Sequence, residues 1–449
     1  TAFDEFASDL PTSAHRLPET RAPAAASREA VKLKTRAPLP TTLGLSHGTP
    51  LLRWMLFALA LLNVVQLGHA KPEPVDFVAM NRTEAASDLK EDYKYVDFTS
   101  AEYRDAVAAA LDGQRKDRYG HLTDPQFAAL RSLIHKNADM LFIEGSAPNT
   151  VKGYEFDIQL MPGAKPVKHS LPRYSPAQAE KEKRHLRKHE KLGQLRTPTD
   201  AQLSGWATRT HIVAKKDDPE GRWICDFRPL NASSELIPIA IGDVFDNVRE
   251  LSRKYWKSVF DAYAGFNQLN ASEGARRLLT IVTCLGLRQW TCVPFGVANG
   301  PAYFQQAMCG IFGPLIARFE QDPELEALDA WMAFFMDDGS LGTGDVFAED
   351  PAALFDDHLV ALSKVFERSR EYNLRLKLSK CYFAQLEVEL LGMHCGLGTV
   401  VPDDKKAAAA RDWPRPSRLE DVEKFLASFS FIRQHITPRF SEISKPLRD

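Results

Sequence analysis

Cysteine is sparse and unclustered in this chain. Its six cysteines, Cys225, Cys284, Cys292, Cys309, Cys381 and Cys395, are scattered through 449 residues and form no CxxC pair. That spacing argues against a zinc site and against a dense disulfide framework, and makes a reducing compartment the simpler setting. Excess charge is missing as well. Although 26% of residues are charged, the formal net charge is −2, so any hold on nucleic acid must come from local basic clusters in a cleft. No internal repeat is evident, and no Asp-Thr-Gly or Asp-Ser-Gly triplet of an aspartic protease occurs. A clean run of the roughly 20 apolar residues needed to cross a bilayer is also lacking. The nearest approach, residues 51–67, is interrupted by Arg53, Asn63 and Gln66.

What is present supports a large fold. A hydrophobic fraction of 44% over this length can bury a sizeable core, and more than one unit is expected. Residues 1–50, rich in Ala, Pro, Thr and Ser without periodicity, read as disordered. Residues 51–70 form an apolar segment with three open readings: a marginal transmembrane span, a signal-like stretch ending in Gly68-His69-Ala70, or a buried helix. Residues 71–150 read as linker and short helices. Within them Thr123 is a helix N-cap with Pro125 in the first turn, followed by Phe127, Leu130, Leu133 and Ile134 at helical spacing. Residues 154–160 alternate like a strand, and residues 177–192 form a charged helix. On that helix His185 and His189 lie one turn apart, where metal ligation is conceivable. Their neighbours Arg184, Arg187 and Lys188 favour a solvated basic face.

The most telling segment is Phe335-Met336-Asp337-Asp338, which ends the apolar run that begins at Trp331. Successive side chains of a strand face opposite ways, so two adjacent aspartates serve one site only from a tight turn, which the following Gly339 would permit. Carboxylates this close repel each other. Either one stays protonated or a divalent cation lies between them.

Two further segments accompany it. Residues 259–268, Val-Phe-Asp-Ala-Tyr-Ala-Gly-Phe-Asn-Gln, place Asp261 at the end of a β-prone run with Phe266 five residues on. Residues 293–305, Val-Pro-Phe-Gly-Val-Ala-Asn-Gly-Pro-Ala-Tyr-Phe-Gln, run from a Pro/Gly turn into an apolar helix. In this order the three segments resemble motifs A, B and C of reverse transcriptases of the Ty3/gypsy LTR-retrotransposon type. The resemblance extends from about Tyr154 to the end of the sequence. It implies an α+β right-hand polymerase with fingers, an antiparallel palm sheet and a thumb, preceded by the disordered N-terminal region. Fingers and palm are expected over 151–398, and the thumb with the start of the connection over 399–449.

The resemblance also implies roles for individual residues. Asp261, Asp337 and Asp338 would hold two Mg²⁺ ions, with Mn²⁺ a substitute, because a hard cation prefers oxygen ligands and shares its shell with phosphates. Lys215 and Arg222 would clamp the triphosphate from the fingers, and Phe266 would exclude a ribose 2′-hydroxyl. Phe295 and Gly296 would floor the nucleotide site, and Gln305 would contact the template region. Lys380, in a segment similar to motif D, would protonate the leaving pyrophosphate. Residues 389–393 are similar to the primer grip, and Asp412-Trp413-Pro414 would open the thumb. Arg228 is expected to form a structural ion pair with Asp226.

Three departures from the family pattern stand out. Phe335 replaces the usual tyrosine, residues 318–329 make a longer connection, and the glycine-rich residues 339–344 should pair weakly as a strand. The alternatives to an active enzyme are a decayed or co-opted copy that binds nucleic acid, and another palm-based metal enzyme such as a nucleotide cyclase. Expected partners are an RNA/DNA template-primer, dNTPs, and the RNase H and integrase parts of a longer polyprotein. The expected location is cytoplasmic or nuclear, in retroelement particles. Membrane association through 51–67 is not favoured, because the basic residues that precede it would put the enzyme outside the cytosol.

Overall fold

The computed structural model describes residues 97–445 apart from 144–149, 172, 216–217, 240–242, 404–407, 410–411, 431–432 and 434–439. The expectations of disorder over 1–50 and of an apolar span over 51–67 lie outside the described residues. Among those that are described, no helix is long and apolar enough to cross a membrane.

The first described elements are helices α1 (Ala101–Asp112), α2 (Arg115–Arg118) and α3 (Asp124–Lys136). α3 starts where the sequence signals it. The Thr123 hydroxyl accepts from Gln126 N–H, and the Gln126 side chain accepts from Thr123 N–H, so two helix-end donors are satisfied reciprocally. These helices add Tyr103, Val107, Leu111, Leu130 and Ile134 to the main core. Strands β1 (Leu141–Phe142) and β2 (Glu155–Phe156) follow. The strand expected over 154–160 thus shrinks to two residues paired with a later strand, plus a single bridge from Leu160 to Ser234.

Helix α4 (Pro176–Lys191), strands β3 (Leu195–Arg196), β4 (Thr208–Lys215) and β5 (Asp218–Cys225), and short helix α5 (Arg228–Ala232) build the fingers side. Glu182 on α4 is fully buried. It accepts hydrogen bonds from Tyr174 Oη, Trp223 Nε1 and the Cys284 amide at 3.0, 3.3 and 2.8 Å, and so bolts the helix to the sheet. His185 and His189 are on this packed side, not on a solvated basic face. His185 stacks on Trp223 at 6.0 Å, and His189 meets Trp290 edge-on at 5.0 Å while its Nδ1 pairs with Gln194 Oε1 at 2.6 Å. Burial pushes the His189 pKa down to about 4, so the ring works as a neutral packing group.

Helix α6 (Val244–Ser252) leads into β6 (Lys254–Asp261), then β7 (Asn270–Ala271), α7 (Glu273–Leu278), β8 (Thr280–Thr283) and β9 (Gly286–Trp290). The long helix α8 (Gly300–Gln321) and the one-turn α9 (Pro323–Glu326) fill the extended connection and deliver the chain to β10 (Trp331–Phe335) and β11 (Asp338–Asp345). After these come α10 (Phe355–Glu371), β12 (Leu376–Lys377), β13 (Tyr382–Gln385), β14 (Val388–Leu390), β15 (Met393–Cys395) and β16 (Val400–Pro402). Helices α11 (Leu419–Ser430) and α12 (Phe440–Ile443) end the described chain.

Two sheets dominate. The fingers sheet runs β3-β9-β8-β4-β5 and the palm sheet runs β10-β11-β6-β13, with β6 and β11 at its centre. The glycine-rich β11 does not pair weakly as expected. It is laddered on both sides, to β10 and to β6. Its glycines are there for space: a Cβ on Gly339 would lie 2.6 Å from Phe334 and closer still to Phe260, and one on Gly342 would lie 2.6 Å from Lys254. Phe334 stacks in turn on Phe312 of α8 at 4.4 Å, which seats the sheet on its helical layer. A second apolar cluster joins Val248, Leu251, Val259, Leu390 and Met393 to Phe425 and Phe429 of α11. Trp413 packs on both phenylalanines of that pair, with centroids at 6.0 and 5.4 Å.

Candidate active site

Asp261 ends β6, Asp338 begins β11, and the antiparallel register sets them directly opposite each other. Residues paired in this way lie about 5 Å apart at Cα and project to the same face. Phe335 pairs with Asp338, so Met336 and Asp337 form a two-residue turn. The Asp337 carbonyl accepts from the Ala262 amide at 3.1 Å, tying the turn to the residue after Asp261. The backbone freedom sought at Gly339 is supplied instead by Met336, whose φ of 57° lies in the left-handed region. A non-glycine residue held there stores strain that its surroundings must hold in place.

Gln305 is what holds it. The side chain, only 5% exposed, accepts a hydrogen bond from the Met336 amide at 2.8 Å. Its amide nitrogen faces Cys309 Sγ at 3.5 Å. Gln305, expected to contact the template region, points inward and braces the Asp337-Asp338 turn.

The charges at the turn are incompletely compensated. Burial first, and then the negative charges of Asp337 and Asp261, push Asp338 up to about 6. Asp261 is 8% exposed and also raised, by burial, while a hydrogen bond from Lys380 pulls it the other way. Lys380 Nζ donates to Asp261 Oδ2 at 2.6 Å. Burial works against the lysine's charge, yet the hydrogen bond to Asp261 and the attraction of all three aspartates outweigh it and raise its pKa.

Two ammoniums, Lys380 in contact and Lys377 at longer range, thus face three carboxylates, and an all-oxygen donor set with surplus negative charge fits a hard divalent cation. Among the described residues no three acidic, histidine or cysteine side chains are yet drawn around one point. Lys380 holds Asp261 Oδ2, the oxygen for which a cation would compete.

The remaining expected residues fall into two groups. Phe266 lies in the turn after β6 and meets Phe295 and Phe304 edge-on at 5.5 and 5.6 Å. Phe295 is 58% exposed, and Gly296 takes φ 96° with its carbonyl accepting from Asn231 Nδ2 at 2.8 Å. Lys215 and Arg222 occupy the β4–β5 hairpin, with Arg222 exposed and paired in register with Val213. Asp226, gripped by Arg228 at 2.6 Å and by Arg209 at 3.1 Å, is held well below the usual carboxylate range. That is the structural ion pair expected for Arg228.

Some supporting residues carry no sequence signal of their own. Gln268, fully buried, donates to the carbonyls of Tyr263 and Arg375 at 2.6 and 3.0 Å and accepts from the Arg375 amide at 2.8 Å, latching the turn after Asp261 to β12. Asn299 donates to the Glu235 carbonyl at 2.7 Å and accepts from the Ile237 amide at 3.1 Å, fixing the loop that carries Phe295. Amides buried in loops need such partners, but which loops meet is a property of the fold.

A helix-backed antiparallel sheet that sets an Asp-Asp hairpin opposite a third aspartate, beside a second sheet that ends in the β4–β5 hairpin, defines a right-hand polymerase. Residues 211–395 match the family described as reverse transcriptase (RNA-dependent DNA polymerase). The retrovirus-related Pol polyprotein from transposon 412 of Drosophila melanogaster is 27% identical over 240 residues, covering 52% of this chain and 18% of the relative. The Pol polyprotein from transposon opus of the same organism is 27% identical over 240 residues, covering 53% and 22%. The genome polyprotein of Petunia vein clearing virus is 26% identical over 258 residues, covering 56% and 11%. Among solved structures, the foamy viral protease-reverse transcriptase in complex with RNA/DNA hybrid aligns with a TM-score of 0.56 at 18% identity, covering 84% of this chain and 44% of that one. The same protein in complex with dsDNA aligns with a TM-score of 0.58, covering 79% and 67%. The chain carries a reverse transcriptase domain over residues 211–395. It spans about a fifth of the length of the transposon polyproteins named here.

Proposed function

We propose that this chain is the RNA-directed DNA polymerase module of an LTR retroelement, extending a DNA primer on an RNA or DNA template. The observation that carries the reading is the register of Asp338 against Asp261, with Asp337 in the adjoining turn. These three aspartates would hold two Mg²⁺ ions, or Mn²⁺ in their place. When bound, the ions lower the charge barrier between the primer 3′-oxygen and the α-phosphate and stabilise the leaving pyrophosphate.

The protein's own part is binding and orientation. Lys215 and Arg222 take the triphosphate, Arg as a planar fork and Lys as a mobile point charge. Phe295 and Gly296 floor the nucleotide, and the flat ring of Phe266 fills the space of a 2′-hydroxyl. Lys380, at rest on Asp261, donates a proton to the departing pyrophosphate. Residues 151–398 act as fingers and palm and residues 399–449 as thumb. The RNase H and integrase activities belong to other parts of the polyprotein, and the work takes place in cytoplasmic or nuclear particles. The competing picture of a decayed copy finds no support in the site, since all three carboxylates, the lysine and the turn's brace are in place.

The test is incorporation of dNTPs on a primed RNA template by the purified chain. Extension with Mg²⁺ that stops on chelation is expected. No extension with either Mg²⁺ or Mn²⁺ would favour the decayed copy.

A further inference from the structure

Lys380 lies in a short loop between β12 and β13, and that loop is held from outside by the segment that precedes the polymerase motifs. Arg118, at the end of α2, spreads its guanidinium over the loop. One nitrogen donates to the Ser379 carbonyl at 2.9 Å and the other to the Cys381 carbonyl at 3.1 Å, so the two bonds flank Lys380. The same guanidinium lies over the Tyr382 ring, 4.2 Å from its centre. Three residues on, His121 Nε2 pairs with the Ala384 carbonyl at 2.8 Å. At the loop's other end, β1 pairs in parallel with β12, Leu141 with Leu376 and Phe142 with Lys377. Asp139 and Asn137 complete the docking through Arg370, at 2.7 and 2.8 Å.

Ser379 is exposed, whereas Cys381 and Ala384 are fully buried, so the contacts pair two acceptors that water reaches poorly as well as one that it reaches freely. They also fix the loop's path. The lysine side chain has four rotatable bonds, and its tip is placed reproducibly only if its root is fixed. A guanidinium suits the task because its rigid fork reaches two carbonyls at once.

We propose that Arg118 is a positioning residue for Lys380, and that the helical segment carrying it is a working part of the polymerase. The inference rests on the reading of Lys380 and Asp261 as reaction-site residues. It assigns Arg118 no contact with substrate. Its effect passes through the backbone on either side of Lys380.

The test is a double-substitution cycle on the full chain, following single-nucleotide addition and amide exchange over residues 376–384. Arg118→Ala is expected to lower kcat roughly ten- to a hundredfold, the scale on which small misplacements register. The KM for the nucleotide and binding of the primer-template stay unchanged, exchange over 376–384 rises, and Arg118→Lys recovers part of the loss. In a Lys380→Ala background the same Arg118→Ala change costs nothing more. Should Arg118→Ala fail to fold, Arg118→Lys, which keeps the stem and one donor, carries the same cycle. Additive losses in the double variant, or an unchanged kcat, would overturn the proposal. If the parent chain adds no nucleotide, the polymerase reading falls on that result alone, and unchanged exchange in Arg118→Ala would separately remove the clamp.

Discussion

Gln305 on α8 and Met336 at the apex of the β10–β11 turn are joined by one hydrogen bond, the Met336 amide donating to Gln305 Oε1 at 2.8 Å. Met336 holds φ 57°, so this bond helps maintain a backbone conformation that a methionine does not favour. Gln305→Leu is one methylene shorter and removes the acceptor. The expected cost is about 1–3 kcal/mol of unfolding free energy for an amide left unpaired, read by denaturant titration, with a clear fall in nucleotide addition. Gln305→Glu, which keeps an acceptor at the same place, should lose less activity than the leucine variant.

Gly339 faces the edge-to-face pair of Phe260 and Phe334, whose centroids are 5.7 Å apart. Gly339→Ala forces a methyl group into occupied space between the palm sheet and its helices. Overpacking of this kind costs about 1–3 kcal/mol, so thermal melting should move down measurably. An unchanged melting point would contradict the close approach described here.

His358 is fully buried between β6 and β11, its Nε2 at 2.7 Å from Ser258 Oγ and its Nδ1 at 2.9 Å from Thr343 Oγ1. Ser258 Oγ also accepts from the Ala384 amide at 3.0 Å. Burial, helped by the charge of Lys257, pushes the His358 pKa down to about 3. The unfolded chain takes up this proton near the usual histidine pKa and the folded chain does not. Stability is therefore lost as pH falls from about 6.5 toward 3. In His358→Gln this contribution is absent, so the gap between parent and variant melting points should narrow as pH drops from 7 to 4. A gap that stays constant would show that the histidine does not titrate in this way.

Much of the architecture was legible in the sequence because the informative residues sit at chain reversals. The Thr123 cap, the charged helix expected over 177–192 and the Asp-Asp turn are local signals, and each is found close to where local chemistry puts it. Errors arose where tertiary packing decides. Glycines in β11 look like weak strand formers until Phe260 and Phe334 are seen to need their space. His185 and His189 sit among basic neighbours, yet the two tryptophans of the fingers sheet claim that helix face. Gln305 lies in a motif but faces the turn behind it, an orientation that chain order does not encode. Gln268 and Arg118 bond to backbone atoms 107 and more than 260 positions away, a distance at which spacing arguments have nothing to say.

The carboxylates carry the central claim, and single-turnover nucleotide addition tests it most directly. Asp261→Asn, Asp337→Asn and Asp338→Asn would each be compared with the parent chain on the same primed RNA template with Mg²⁺. Near-complete loss is expected in all three, with primer-template binding retained and the metal-free fold of Asp338→Asn at pH 8 no less stable than the parent, because its replaced carboxyl no longer has to ionise against burial and its neighbours. Parent-like rates in Asp261→Asn or Asp338→Asn would mean that the facing pair at the centre of the palm does not do the chemistry.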